Sequence, residues 1–378
     1  MPTGVNFFQD RRGARLGGFL FPEMKKAILV CGLLAFGLVS CASQKYEHAR
    51  AHEIKEAPVG VRQQKARNVV LMIGDGMGAE HVWTAWLCNK GKLNITALPV
   101  TGFSITTSAS HTITDSAAGG TAIACGCKAI NGQLGLTPEG NAVDSLAVHM
   151  RRAGKATGIV VTKSVTDATP AAFYAHVESR HDTPAIAKAL VESGFDVVAG
   201  GGAGDFCEKQ KEMLARNCKL LELAAPGECE PAGKRGDWLP QTVAKALRVL
   251  EKDADGFFLM VEGSKIDIAA HANDLPEAVR EVLDFDRAVG VVLEWMKLHP
   301  DTLLVVTADH QTGGLSLLGG KKEEGKADAH FSTYRHSGVA VPVYAAGCGA
   351  AAFTGVRENT QLAPEILRAA QVNPRAVQ

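Results

Sequence analysis

The sequence predicts an α/β fold: a mostly parallel central sheet with helices on both faces. Three observations predict it. Short apolar runs rich in Val and Ile recur along the chain, and helical periodicities lie between them. Glycine is in excess, 40 of 378 residues against a usual share of about 7%, while aromatics are only 6%. Strands alternating with amphipathic helices imply a parallel sheet covered on both sides. The glycines suit the tight turns that join them.

Taken in chain order, Asn68–Gly74 (NVVLMIG) reads as a buried strand that stops at Asp75-Gly76-Met77-Gly78. Residues 158–162 (GIVVT) form the next, with Asp167-Ala168-Thr169-Pro170 shortly after. Residues 196–199 (DVVA) run into Gly200, 257–261 (FFLMV) into Glu262, and 303–307 (LLVVT) into Ala308-Asp309-His310. Between them, 275–299 carries apolar residues at helical spacing, and Thr183–Ser193 and 242–251 behave likewise. No repeat of fixed period and no low-complexity tract interrupts the pattern.

Composition excludes two classes. Lys plus Arg is 40 and Asp plus Glu is 40, so the basic excess of a nucleic-acid binder is missing. A 46% hydrophobic share excludes a disordered chain. Residues 27–40 (AILVCGLLAFGLVS) are uncharged and follow Lys25-Lys26. The run is shorter than the ~20 residues of a spanning helix and reads as a signal peptide. Leu38-Val39-Ser40-Cys41 resembles a bacterial lipobox, with Cys41 the lipidated first residue of the mature protein. The expected organisation is a leader 1–23 preceding a true start at Met24, a signal peptide with lipobox 24–41, a flexible tether 42–66 and one catalytic domain 67–378. Export makes the protein periplasmic or surface-bound, anchored to a bacterial membrane through Cys41. Seven further cysteines remain, an odd number. A disulfide among Cys207, Cys218 and Cys229 fits an oxidising compartment; Cys125-Gly126-Cys127 lacks a second pair and reads as structural.

In open α/β sheets ligands bind beyond the carboxyl ends of the strands. Asp75, Glu262 and Asp309 sit at such ends, and Asp167 lies just past one. Converging carboxylates raise one another's pKa unless cations compensate, and bound metal is the simplest compensation. Each Asp alone also suits a turn or helix cap. Asp267 and His271, four apart, share a helix face and can reach one ion. Asp309-His310 converge at a strand end, and His336 precedes another apolar run, with His330 as its rival. Mixed imidazole and carboxylate ligands suit zinc; all-oxygen sets suit magnesium. The candidate nucleophile is Ser116, followed by small residues that place it at a helix N-terminus, where an anion is favoured. Ser116 also reads as a plain N-cap.

These segments together resemble the alkaline phosphatase family: 68–78 (NVVLMIGDGMG), 114–136 (TDSAAGGTAIACGCKAINGQLGL), 166–180 (TDATPAAFYAHVESR), 257–271, Thr307-Ala308-Asp309-His310 and His336-Ser337-Gly338. The resemblance implies a small phosphomonoester as substrate and three metal ions. One zinc falls to Asp267, His271 and His336. A second zinc falls to Asp75, Asp309, His310 and Ser116. A magnesium falls to Asp75, Asp167, Thr169 and Glu262. Arg180 matches the arginine that clamps phosphate, with Asp115 orienting it. Ser116 then attacks phosphorus in line and becomes phosphoserine. Its hydrolysis is a second inversion, so phosphorus keeps its configuration overall. The family also implies a homodimer.

The chain departs from the family in two respects. Arg180 and Glu262 are only 82 positions apart, and His310 and His336 only 26; longer members carry insertions there that build a crown and part of the dimer interface. Ile268 stands where well-known bacterial members have Lys and animal enzymes His, which leaves Asp167 without that partner. Two other readings are weaker. A sulfatase or diesterase within the same superfamily conflicts with Ser116-Ala117-Ala118-Gly119 and with Arg180. A dead lipoprotein that merely binds phosphate conflicts with the full ligand set.

Overall fold

The computed structural model describes residues 43–55 and 60–373. The leader, the signal peptide and Cys41 lie outside the described residues. The strands are β1 (Gln44–Glu47), β2 (Val61–Arg62), β3 (Asn68–Gly74), β4 (Val100–Ile105) and β5 (Ala156–Ser164). They continue with β6 (Val197–Gly201), β7 (Leu220–Leu223), β8 (Phe257–Gly263), β9 (Thr302–Thr307) and β10 (Gln311–Thr312). The last are β11 (Leu315–Lys321), β12 (Lys326–Phe331), β13 (His336–Ser337), β14 (Val341–Cys348) and β15 (Gly355–Glu358).

One large sheet runs in the order β15-β4-β14-β9-β3-β8-β5-β6-β7. From β9 to β7 every neighbour is parallel, and β14 is antiparallel to both β4 and β9. The α/β class expected from the sequence is the class observed. In β3 all residues are buried, and successive side chains serve opposite faces. Val70 and Met72 join the core beneath helices Trp238–Leu250 and Leu275–Met296. Val69, Leu71 and Ile73 join the core beneath Leu146–Arg152, Thr183–Ser193 and Leu362–Ala369. That double burial is why the central strands read as continuous apolar runs rather than alternating ones.

Two expectations need correction. The segment 42–66 is not a free tether throughout. β1 pairs with β12 from Gln44↔Ala329 to Glu47↔Lys326, and β2 pairs with the end of β14. Polar composition suggested a linker, but backbone pairing along a sheet edge needs no apolar side chains. The disulfide expected near Cys207, Cys218 and Cys229 is absent, and all seven described cysteines are unpaired. Helix Glu208–Asn217 stands between Cys207 and Cys218. Its length holds them about 15 Å apart, beyond the ~7 Å that a disulfide spans.

Candidate active site

Four adjacent parallel strands, β9-β3-β8-β5, deliver one acidic residue each to the same edge of the sheet. Asp309 follows β9, Asp75 follows β3, Glu262 is the penultimate residue of β8, and Asp167 follows β5. Asp75, Glu262 and Asp309 are fully buried. His310 and His336 meet through a two-stranded ladder. β10 extends directly from His310 and pairs with β13, so that Thr312 faces His336. The rings of His310 and His336 stack with centroids 3.6 Å apart. His330 lies in β12, opposite Ser316, away from this ladder.

Ser116 opens helix Ser116–Cys125, and the Asp115 side chain caps it by accepting from the Ala118 amide at 3.0 Å. Ser116 Oγ lies 3.1 Å from His310 Nε2. The helix can press so closely on the strand ends because Gly119 and Gly120 lack side chains. A Cβ on Gly119 would stand 3.0 Å from the Asp309 carbonyl oxygen, and one on Gly120 3.2 Å from Thr169 Cα.

Two groups of metal-competent atoms result. His310 Nε2 is 3.4 Å from Asp75 Oδ1 and 3.3 Å from Asp309 Oδ2. In the other group, Asp267 Oδ1 is 3.3 Å from His271 Nε2 and 3.6 Å from His336 Nε2, and the two imidazole nitrogens are 3.1 Å apart. Both histidines of this second group are held through Nδ1: His271 by the Tyr334 carbonyl at 2.7 Å, His336 by the Thr114 carbonyl at 2.9 Å. Those bonds fix Nδ1 as the protonated nitrogen and leave Nε2 free to ligate. Thr312 Oγ1 donates to Asp267 Oδ1 at 2.5 Å; this residue had no motif to announce it.

The third group is oxygen only. Both oxygens of Asp75 and of Glu262, together with Thr169 Oγ1, are buried without a hydrogen-bond partner. Such orphaned anionic oxygens are costly unless a cation joins them. Burial pushes the Glu262 carboxyl up to about 8, with Asp167 adding repulsion. Asp309 is pushed up to about 7, first by burial and then by Asp267. Asp75 rises well above its usual range, first by burial and then by the repulsion of Asp309 and Asp267. Burial moves His310 the other way, well below its usual value, aided by His336 and Arg180. A neutral imidazole among crowded carboxylates is a donor set that divalent ions fit.

Arg180 faces this edge from a neighbouring loop. Its Nη1 is 3.2 Å from Asp115 Oδ2 and its Nη2 is 3.6 Å from Asp167 Oδ1. Asp115 Oδ2 also accepts from the Gly132 amide at 3.0 Å. The structure thus brings Asp75, Ser116, Asp309 and His310 to one place, with Asp267, His271 and His336 grouped beside them across the stacked rings of His310 and His336, and leaves His330 elsewhere. It corrects one expectation. Asp167 has a basic partner after all: Lys163 Nζ lies 2.7 Å from Asp167 Oδ2, while Ile268 is partly exposed on its helix. Burial opposes the Asp167 charge, but Lys163 and Arg180 overcome that and hold the carboxyl below its usual range. The only sequence signal for Lys163 is a basic residue at the end of an apolar strand, four positions before Asp167.

Parallel strand ends, a helix-borne serine, an arginine fork and clustered metal-competent groups define a metal-dependent hydrolase of phosphate esters. The alkaline phosphatase family model matches residues 66–222 and 220–327. Alkaline phosphatase 4 of Bacillus subtilis is 34% identical over 339 residues, covering 79% of this chain and 72% of its own. The solved alkaline phosphatase of the Antarctic bacterium TAB5 superposes with a TM-score of 0.78 at 33% identity, covering 82% of this chain and all of that one. A variant of that enzyme with Mg bound in its M3 site superposes with a TM-score of 0.77 at 32% identity and the same coverage. The chain belongs to the alkaline phosphatase family. It is an enzyme that hydrolyses phosphate monoesters and depends on metal ions.

Proposed function

We propose that the reaction runs through a phosphoserine on Ser116. The observation that carries this is Ser116 Oγ at a helix N-terminus, 3.1 Å from His310 Nε2 and beside unpaired buried carboxylates. Two zinc ions would be held by Asp267, His271 and His336, and by Asp75, Asp309, His310 and Ser116. Magnesium would be held by Asp75, Asp167, Thr169 and Glu262. When bound, these ions supply Lewis-acid stabilisation of the attacking and leaving oxygens.

The protein's own residues do the rest. Asp115 and Asp167 hold the Arg180 fork so that its two nitrogens meet two phosphate oxygens. The helix dipole favours the dianion in front of Ser116. Ser116 Oγ forms a bond to phosphorus as the bond to the ester oxygen breaks, and the alcohol leaves. Water then cleaves the phosphoserine on the opposite path and releases inorganic phosphate. Two inversions give net retention at phosphorus.

The test is direct. Zinc- and magnesium-loaded protein should hydrolyse p-nitrophenyl phosphate at alkaline pH and lose this on chelation. Ser116→Ala should lower kcat/KM by about a thousandfold or more with metal content unchanged. An active Ser116→Ala enzyme would reject the intermediate.

The same reading extends to the cell. Residues 24–41 would act as signal and lipobox, 67–378 as the catalytic domain, and Cys41 would hold the exported enzyme on a membrane. No helix among the described residues is long and apolar enough to cross one. Cys41→Ser should release the protein from membranes; continued association would reject the anchor. Homodimerisation belongs to this reading too, and sedimentation of the loaded enzyme decides it.

A further inference from the structure

The domain's first strand begins close to the lipobox cysteine. Gln44 is three positions after Cys41, so the chain between them reaches at most about 11 Å. Gln44 is fixed at both ends of its side-chain amide. Nε2 donates to the Asn273 carbonyl oxygen at 2.7 Å, and Oε1 accepts from the Leu275 amide at 3.2 Å. From there β1 runs along the edge of the three-stranded sheet β1-β12-β11. A lipid on Cys41 would therefore hold this corner of the domain beside the bilayer.

The surface at this corner suits lipid. Leu318 sits at the bulge of β11, two strands from β1 and so about 10 Å away, and is 62% exposed. On the other side, the Asn273 side-chain amide, turned to donate, meets the Thr333 carbonyl oxygen at 2.9 Å. Next to Thr333 stands Tyr334, 67% exposed. Tyrosine favours the membrane interface, where its ring meets apolar chains and its hydroxyl meets water. Lys45 and Arg335 are exposed and form no ion pair among the described residues, which leaves them free for anionic headgroups. The nearby acids are engaged or withdrawn. Glu47 pairs with Lys326 at 3.3 Å, Asp274 caps the helix that follows it, and Asp328, opposite Lys45, keeps one oxygen buried.

We propose that Lys45, Leu318, Tyr334 and Arg335 form a docking surface for the anionic bilayer that carries the Cys41 lipid. The proposal rests on the reading of Cys41 as the anchor. Acyl chains and protein contact then act together, and attachment outlasts what either gives alone. The same corner borders the metal-competent histidines: the Tyr334 carbonyl holds His271, which is two residues before Asn273. Docking thus sets this rim of the active site beside the bilayer rather than at the end of a free linker.

The test uses the full chain, loaded with zinc and magnesium and reconstituted into vesicles of phosphatidylethanolamine and phosphatidylglycerol. Mass spectrometry of the peptide that contains Cys41 reads acylation. Amide hydrogen exchange at 316–319 and 332–335 should be slower on vesicles than in soluble Cys41→Ser, with helix Glu208–Asn217 unchanged. Leu318→Ser combined with Tyr334→Ser should lower the ratio of vesicle-bound to free acylated protein by about tenfold or more. Val356→Ser, as exposed on the edge strand β15, should leave that ratio alone. Equal losses from the two would make the contact unspecific and overturn the proposal. The exchange comparison leaves the face unaltered, so it decides the matter even where the double variant fails to fold. If Cys41 is acylated and exchange at both segments matches the soluble variant, the docking surface falls while the anchor stands. If Cys41 carries no acyl chain, the anchor reading and the proposal fall together.

Discussion

Asp115 joins nucleophile and clamp in one carboxylate. Its Oδ1 caps the helix that carries Ser116, and its Oδ2 holds both the Gly132 amide and Arg180. Displacing Asp115 would move the serine and the arginine together. Arg180 also leans on Asp167, so its guanidinium is oriented before any phosphate arrives. Arg180→Ala should therefore raise KM, and the inhibition constant of inorganic phosphate, about ten- to a hundredfold, with a smaller loss in kcat. Arg180→Lys should recover only part of this, because an ammonium does not offer a planar two-pronged contact. Steady-state kinetics with phosphate as inhibitor check it, and full recovery by Lys would reduce the role of Arg180 to charge alone.

The elements explain what was legible and what was not. β3, β8 and β9 were readable because burial on both faces makes them continuous apolar runs. Their terminal acids followed from the rule that ligands gather at strand ends. β4 was not readable. Gly102 interrupts it, and a Cβ there would stand 2.3 Å from the Phe353 carbonyl oxygen. Its burial alternates, with Phe103 turned partly to solvent. β10 and β13 have two residues each, too short for any periodicity, yet they seat His336 beside His310. Lys163 escaped notice because it continues a strand and belongs to no motif. The close approach of helix Ser116–Cys125 was visible only as a run of small residues. Its consequence is testable. Gly119→Val should cost about 1–3 kcal/mol of stability and weaken zinc binding, since the added atoms push on Asp309. Gly227→Ala, with open space around it, should be close to neutral in the same melting experiment. Equal effects of the two would mean that helix-to-strand contact is not what Gly119 secures.

Across the whole molecule, zero net charge conceals an acidic cluster at one sheet edge, and this ties stability to pH and metal. Without metal, burial raises Glu262 from 4.5 to about 8 and Asp309 from 3.8 to about 7. A carboxyl whose folded pKa exceeds its unfolded value favours the fold while protonated and loses that contribution as pH rises through the folded value. Metal-free protein should accordingly lose stability progressively between about pH 4 and pH 8. Asp167, whose pKa is lowered in the fold by Lys163 and Arg180 against the effect of burial, works oppositely. Its contribution is present above its unfolded value of 3.8 and fades only below that. Metal ions need the ionised carboxylates, so their binding releases protons and strengthens over the window in which the empty site weakens. The melting temperature of chelated protein should fall from pH 5 to pH 9, while that of the zinc- and magnesium-loaded enzyme holds or rises. Calorimetry of both forms across that range measures the gap, which should widen with pH. Parallel curves would mean that Asp75, Glu262 and Asp309 are not the groups through which metal stabilises the fold. A widening gap would make the alkaline range the one in which this sheet edge depends most on its ions.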